Sequence, residues 1–137
     1  IDELWRISQG FGPHTPAQWA ELSRPLLRQR ADGRWHLHYD PSIAQPVKAL
    51  LALPPEAAQQ AVAAGEAALW AAYDSLTLPT LLLRGAESDL LGADTAQAMT
   101  QRGPRAQLVQ FAGVGHAPTL VAPDQVAAVR DFLLARP

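Results

Sequence analysis

The sequence predicts an α/β fold with two parallel strands, flanking helices and an irregular helical cap segment. Residues 56–137 follow the order helix–strand–helix–strand–helix, which gives parallel strands joined by crossovers. The apolar run Thr80–Leu83, between Pro79 and Gly85, is typical of a strand buried on both faces. Residues 1–55 lack long periodic elements. We therefore assign 1–55 to a cap or lid and 56–137 to the core.

The first half is divided by turn and capping residues. Thr15 followed by a proline predicts a helix N-cap with proline at the first helical position. Pro25 is expected to break or kink that helix. The Asp-Gly pair at 32–33 predicts a turn, and the alternation over 35–39 predicts a short extended segment.

The second half has more regular elements. An alanine-rich helix over about 56–74 carries Val62, Leu69 and Tyr73 on one stripe. The strand at 80–83 comes next.

The last part of the chain predicts a helix, a strand and a final helix. The helix covers about 93–101, and the strand covers Leu108–Phe111. Pro123 is expected to open the final helix. Three of its apolar residues are predicted to face inward: Val126, Val129 and Leu133.

Composition narrows the classes of function. The 137 residues carry a formal net charge of only −2, with no basic excess that would indicate nucleic-acid binding. No apolar run reaches the roughly 20 residues that cross a bilayer, so we expect no membrane partner. The chain has no cysteine, which excludes disulfides and thiolate ligands and fits a cytoplasmic location. We expect no cofactor and no metal.

An acidic residue and a histidine each follow a predicted strand. Asp89 comes after the first strand and His116 after the second. The carboxyl ends of parallel strands meet at one edge of a sheet, where ligands bind. A carboxylate that orients a histidine acting as general base makes up two thirds of a catalytic triad. The alternative is that Asp89 caps a turn and His116 is an ordinary loop histidine.

Three segments resemble one family. Pro79–Leu91 resembles the acid-bearing strand and turn of α/β-hydrolases, and Gly113–Pro118 resembles their catalytic-histidine loop. Phe11–Pro41 is similar to the cap of a bacterial subgroup. The resemblance implies a partial α/β-hydrolase fold in which Asp89 is the acid and His116 the base. Two other carboxylates compete for the role of the acid: Glu87 and Asp94.

The nucleophile of such a triad is missing. The family carries it on a G-x-S-x-G turn that precedes both the acid and the histidine. No serine of the chain has glycines at both required positions; the serines are Ser8, Ser23, Ser42, Ser75 and Ser88. The chain therefore resembles the cap remainder and the last two strand–helix units of an α/β-hydrolase, its C-terminal portion. A nucleophilic aspartate would instead imply dehalogenase or epoxide-hydrolase chemistry.

The resemblance implies a serine-type hydrolase of small ester or acyl substrates. The complete protein would bind a small-molecule substrate, while this chain alone is expected to be inactive. We expect the chain to self-associate or to pair with the missing N-terminal half, whether that half is cleaved off or supplied by a partner. The alternative from another class is a non-catalytic binding or assembly module on the same scaffold.

The remaining histidines are weaker candidates. His36 and His38 lie at i, i+2 on an extended segment and point the same way, but no third metal ligand is grouped with them. His14 lies in a turn rich in glycine and proline, and we interpret it as a surface histidine in preference to a residue lining a substrate entrance.

Overall fold

The computed structural model describes residues 1 and 9–135. Ser8 lies outside the described residues. The helices are α1 (Pro16–Ser23), α2 (Gln45–Leu51), α3 (Pro55–Asp74), α4 (Ala93–Met99) and α5 (Pro123–Leu134). The strands are β1 (Leu27–Gln29), β2 (Trp35–Leu37), β3 (Leu81–Gly85) and β4 (Gln107–Phe111). Short 3₁₀ turns cover Gln9–Phe11, Arg24–Leu26 and Pro41–Ala44.

The chain divides into two compact units. The first consists of Ile1–Pro25 and Thr77–Pro137, and the second of Leu26–Leu76. This division does not coincide with the boundary predicted at 55/56. The first 25 residues group with the strands β3 and β4, so the assignment of all of 1–55 to a cap stays a prediction.

Helix α1 begins as the sequence predicts. The Thr15 hydroxyl accepts a hydrogen bond from the backbone N–H of Gln18 at 3.2 Å, and the Gln18 side chain accepts one from the backbone N–H of Thr15 at 2.9 Å. This reciprocal capping box satisfies two N–H groups that have no partner within the helix. The helix ends two residues before Pro25, which cannot donate a backbone hydrogen bond.

The first unit contains the predicted parallel pair. Strands β3 and β4 are parallel neighbours, in a register that pairs Leu81 with Gln107 and Gly85 with Phe111. The prediction that the first strand is buried on both faces is wrong, because Leu81–Leu83 are only half-buried. In the described part of the chain this sheet consists of these two strands.

The final helix starts at Pro123 as predicted, but its apolar face is not inward. Val126 is 47% exposed and Leu133 is 72% exposed, while Val129 is half-buried. With Leu120 and Leu134 these residues line an open groove of about 460 Å³. The prediction failed because periodicity shows which face of a helix is apolar and cannot show whether a neighbour covers it.

The second unit begins with a hairpin. β1 and β2 are antiparallel, with Leu27 opposite Leu37 and Gln29 opposite Trp35. The sequence indicated the turn and the second strand but not the first. In α3 the predicted stripe is largely exposed, since Val62 is 54% and Leu69 is 74% accessible.

None of the helices in the described part of the chain is both long enough and apolar enough to cross a membrane.

Candidate active site

The turn that carries Asp89 and the loop that carries His116 leave the same edge of the sheet. The N–H of Ala86 donates to the carbonyl of Phe111 at 2.9 Å, and the N–H of Glu87 donates to the carbonyl of Val114 at 3.0 Å. These bonds continue the ladder of two parallel strands beyond their ends. The two segments are therefore joined through their backbones.

Glycines make this junction possible. A Cβ at Gly85 would overlap the carbonyl oxygens of Val114 and Gly115. A Cβ at Gly115 would overlap the carbonyl oxygen of Gly10. Three backbone segments, distant in sequence, thus cross with no room for a side chain between them.

Ser88 links the two segments through its hydroxyl. Its Oγ donates to the carbonyl oxygen of His116 at 3.3 Å and accepts from the N–H of Leu91 at 3.1 Å. The side chain is buried, and both of its bonds go to backbone groups. In this turn the hydroxyl of Ser88 performs the capping that the sequence offered as an alternative role for Asp89.

A buried arginine holds the same turn from the sheet side. Arg84, at the end of β3, is only 6% exposed. Its guanidinium donates to the carbonyls of Leu91 at 2.7 Å, Ala86 at 3.1 Å and Ser88 at 3.4 Å, and to Gln110 Oε1 at 2.9 Å. Within the described residues, none of these bonds goes to a carboxylate. Arg84 therefore fixes the turn from 86 to 91 through its main chain.

The side chains of Asp89 and His116 are both exposed. Among the described residues no hydrogen bond joins them. The ring of Phe11 lies 5.7 Å from that of His116, centroid to centroid, at an interplanar angle of 68°. This edge-to-face geometry is a favourable aromatic contact. The backbone is thus brought together as the sequence predicts, and the pairing of the two side chains stays a prediction.

The competing carboxylates occupy different settings. Glu87 is exposed within the turn, and its described hydrogen bond is made by its backbone. Asp94 lies in the first turn of α4, where a negative charge interacts favourably with the helix dipole.

The interpretation of His14 as a surface turn histidine is wrong. The residue is half-buried, and its Nδ1 lies 2.8 Å from the carbonyl oxygen of Gly12. Its Nε2 lies 2.7 Å from Thr119 Oγ1, and its ring meets that of Trp19 edge-to-face at 5.9 Å. A turn sequence shows that the backbone reverses, but it cannot show that another segment packs on it.

The sequence analysis also did not predict that Phe11, Arg84 and Ser88 contact the acid turn or the histidine loop. Ser88 and Arg84 lie within the segment that resembles the acid-bearing turn, so their position was the available signal. Nothing in the sequence pairs Phe11 with His116, because 105 positions separate them.

The histidines of the hairpin form no metal centre in the part of the chain described. His36 directs its Nδ1 to the carbonyl oxygen of Leu37 at 2.9 Å. Across residues 1 and 9–135, no three His, Cys, Asp or Glu side chains lie close enough together to hold a metal ion.

The described fold is similar to that of solved hydrolase structures. A crystal structure of an α/β hydrolase from Novosphingobium aromaticivorans matches with a TM-score of 0.71 and 33% identity, over 96% of this chain and 43% of that chain. A second solved structure, from Rickettsia typhi, matches in fold with a TM-score of 0.73 at 18% identity, over 99% of this chain and 41% of that one. The chain therefore has a partial α/β-hydrolase fold and corresponds to the C-terminal portion of such a protein.

One curated relative is also similar in sequence. The chain is 44% identical over 132 residues to a 3-hydroxybutyrate-oligomer hydrolase of Cupriavidus necator. The match covers 94% of the chain and 43% of that relative's length. No protein-family model matches the chain. The Novosphingobium aromaticivorans and Cupriavidus necator proteins are hydrolases, and this chain spans less than half the length of each of the three proteins.

Proposed function

We propose that the complete protein to which this chain corresponds is a serine-type α/β-hydrolase that cleaves the ester bonds of short 3-hydroxyacid oligomers. The convergence of the Asp89 turn and the His116 loop at one sheet edge carries the proposal. It supports an acid and a base acting together. The substrate class rests on the similarity to the Cupriavidus necator relative, and an oligomer of a hydroxyacid is a small ester.

In this proposal His116 is the general base. One ring nitrogen takes the proton of the serine hydroxyl as its oxygen attacks the ester carbonyl, and the imidazolium then protonates the departing alkoxide. Asp89 accepts a hydrogen bond from the other ring nitrogen and stabilises the imidazolium. Water, deprotonated by His116, then releases the acyl group. Each cycle consumes one water and yields one carboxylic acid and one hydroxyl group.

The turn's hydrogen bonds support these roles. Because Ser88 caps the turn, Asp89 is free to serve as the acid. The hydroxyl of Ser88 is buried and bonded to two backbone groups, so it is unsuited to be the nucleophile. The serine and the oxyanion hole are supplied from outside these 137 residues, and the chain by itself is inactive.

The test is to express in full the reading frame that encodes this chain and to measure acid release from 3-hydroxybutyrate dimers and trimers. We expect turnover by the full product and none by the 137-residue chain. Hydrolysis of simple acyl esters without hydrolysis of the oligomers would overturn the substrate assignment. An intact G-x-S-x-G turn with no turnover of any ester would instead favour the non-catalytic module. Turnover by the 137-residue chain alone would contradict the proposal that the nucleophile lies outside these residues.

We also propose that the remainder of the hydrolase core covers the exposed apolar face of α5. The matched hydrolases are more than twice as long as this chain, which leaves enough core to bury that face. Burying a leucine side chain contributes about 1.5–3 kcal/mol.

Leu133→Lys is therefore expected to lower the free energy of unfolding of the complete protein by about 2 kcal/mol or more, since a charge then enters that interface. The control is Ile43→Lys in the second unit, where the original side chain has the same 72% exposure. We expect it to change stability by less than about 0.5 kcal/mol. Denaturant midpoints compare the two. Equal midpoints would refute the proposal, and dissociation of a dimer by Leu133→Lys would show that a second copy covers the face.

A further inference from the structure

The segment Gly10–His14 lies along the loop that carries His116. At one end, Gly115 approaches the carbonyl of Gly10 so closely that no Cβ fits between them. At the other end, His14 reaches Thr119, three residues beyond His116. Between these points the ring of Phe11 contacts the ring of His116 itself. We call Gly10–His14 the brace.

His14 makes two hydrogen bonds, one within the brace and one to the histidine loop, and their chemistry determines which ring nitrogen donates. The carbonyl oxygen of Gly12 has no proton, so Nδ1 of His14 must be the donor in that bond at 2.8 Å. In the neutral imidazole Nε2 is then the acceptor, and it receives the hydroxyl proton of Thr119 at 2.7 Å. Both ring nitrogens are thereby used within the fold. The ring of Trp19, a buried residue of α1, meets the same ring edge-to-face.

The histidine loop is held at other points from within its own half of the chain. Glu87 bonds to Val114, Ser88 bonds to the carbonyl of His116, and Gln125 accepts from the N–H of Leu120 at 2.9 Å. These bonds fix the loop backbone on the side of the acid turn and of α5. They leave the orientation of the imidazole to side-chain contacts. Within residues 1 and 9–135, the ring contact of His116 is with Phe11 of the brace.

We propose that the brace sets the position and orientation of His116, with His14 as a positioning residue acting through Thr119 and Phe11. This inference rests on the proposed function for its catalytic consequence. His14, Thr119 and Phe11 take no part in the chemical steps. Loss of the His14–Thr119 bond weakens the attachment of the brace to the loop, while Gln125 still holds the backbone at Leu120. Small displacements of a catalytic group cost up to about 10²-fold in rate.

The test uses the complete protein with two pairs of variants. Thr119→Val removes the hydroxyl at nearly constant shape, and Thr119→Ser restores it. His14→Phe keeps an aromatic ring against Trp19 and removes both hydrogen bonds. The matched control is His36→Phe, because His36 is also half-buried but bonds only to the backbone of its own hairpin.

We expect Thr119→Val and His14→Phe each to lower kcat about tenfold, with KM unchanged. The variant that carries both substitutions should have a kcat no lower than that of either single variant. Thr119→Ser should recover wild-type kcat. The imidazole NMR signals of His116, assigned by their loss in His116→Ala, should shift in both variants and stay in place in His36→Phe.

The two measurements separate the brace from the proposed function. If the wild-type protein turns over no ester, the hydrolase proposal fails, and the His116 signals still decide the brace. Folded Thr119→Val and His14→Phe proteins with unshifted His116 signals would overturn it. Equal effects of His36→Phe, or a failure of Thr119→Ser to restore kcat, would overturn it as well.

Discussion

Replacing His116 by alanine in the complete hydrolase is expected to lower kcat by about 10⁴–10⁶-fold. The residues of a triad act as a unit, so the loss of the base alone removes most of what the whole triad contributes. Steady-state kinetics on the full reading frame measures this, with folding checked by circular dichroism. The exposed position of His116 makes a stability effect small, so the loss should appear in turnover and not in yield.

The carboxylates provide the control for this experiment. Asp89→Asn is expected to lower kcat by about 10⁴-fold, because an amide cannot stabilise the imidazolium. Glu87→Gln and Asp94→Asn remove the same charge from the same turn and from the start of α4, and they should leave kcat within about twofold. A large loss in Glu87→Gln with a small one in Asp89→Asn would reassign the acid.

Gly85→Ala is expected to destabilise the protein by about 3 kcal/mol or more. The added Cβ would overlap two carbonyl oxygens of the histidine loop, and backbone atoms cannot move aside as a flexible side chain can. Relieving the overlap would separate the two loops that carry Asp89 and His116. Denaturant unfolding measures the loss.

Gly65→Ala is the matched control for that substitution. Gly65 lies within α3, and a Cβ there meets nothing within 4 Å. Alanine in a helix interior is more favourable than glycine by roughly 0.5–1 kcal/mol, so this variant should be more stable than the wild type. The same chemical change is thus expected to have opposite signs at two positions. A Gly85→Ala protein as stable as the wild type would show that the three crossing segments separate readily.

The positions of the secondary elements followed largely from local sequence. Thr15 with its following proline, the apolar run of β3 and Pro123 each mark an element by chemistry that acts over a few residues. The order of elements then required β3 and β4 to be parallel, and this brought the Asp89 turn beside the His116 loop. These inferences need no knowledge of distant contacts.

The errors concern burial and contacts between distant segments. Periodicity predicts that α3 and α5 each have an apolar face, yet Leu69 and Leu133 on those faces are exposed. The prediction of burial failed because a local sequence pattern does not show whether another segment covers the face. His14 and Phe11 contact residues about 105 positions away. Their role in the site depends on the path of the whole chain, and single-sequence patterns do not contain it.

The arginine beneath the acid turn has a consequence for acid tolerance. The described acceptors of its guanidinium are three carbonyl oxygens and one side-chain amide oxygen, none of which carries a charge. A turn tied by a carboxylate would loosen on acidification, whereas this anchoring stays the same. The bonds between Arg84 and the acid turn should therefore persist in acid, because no carboxylate is among their described acceptors. Activity lost at low pH should return at once when the pH is raised.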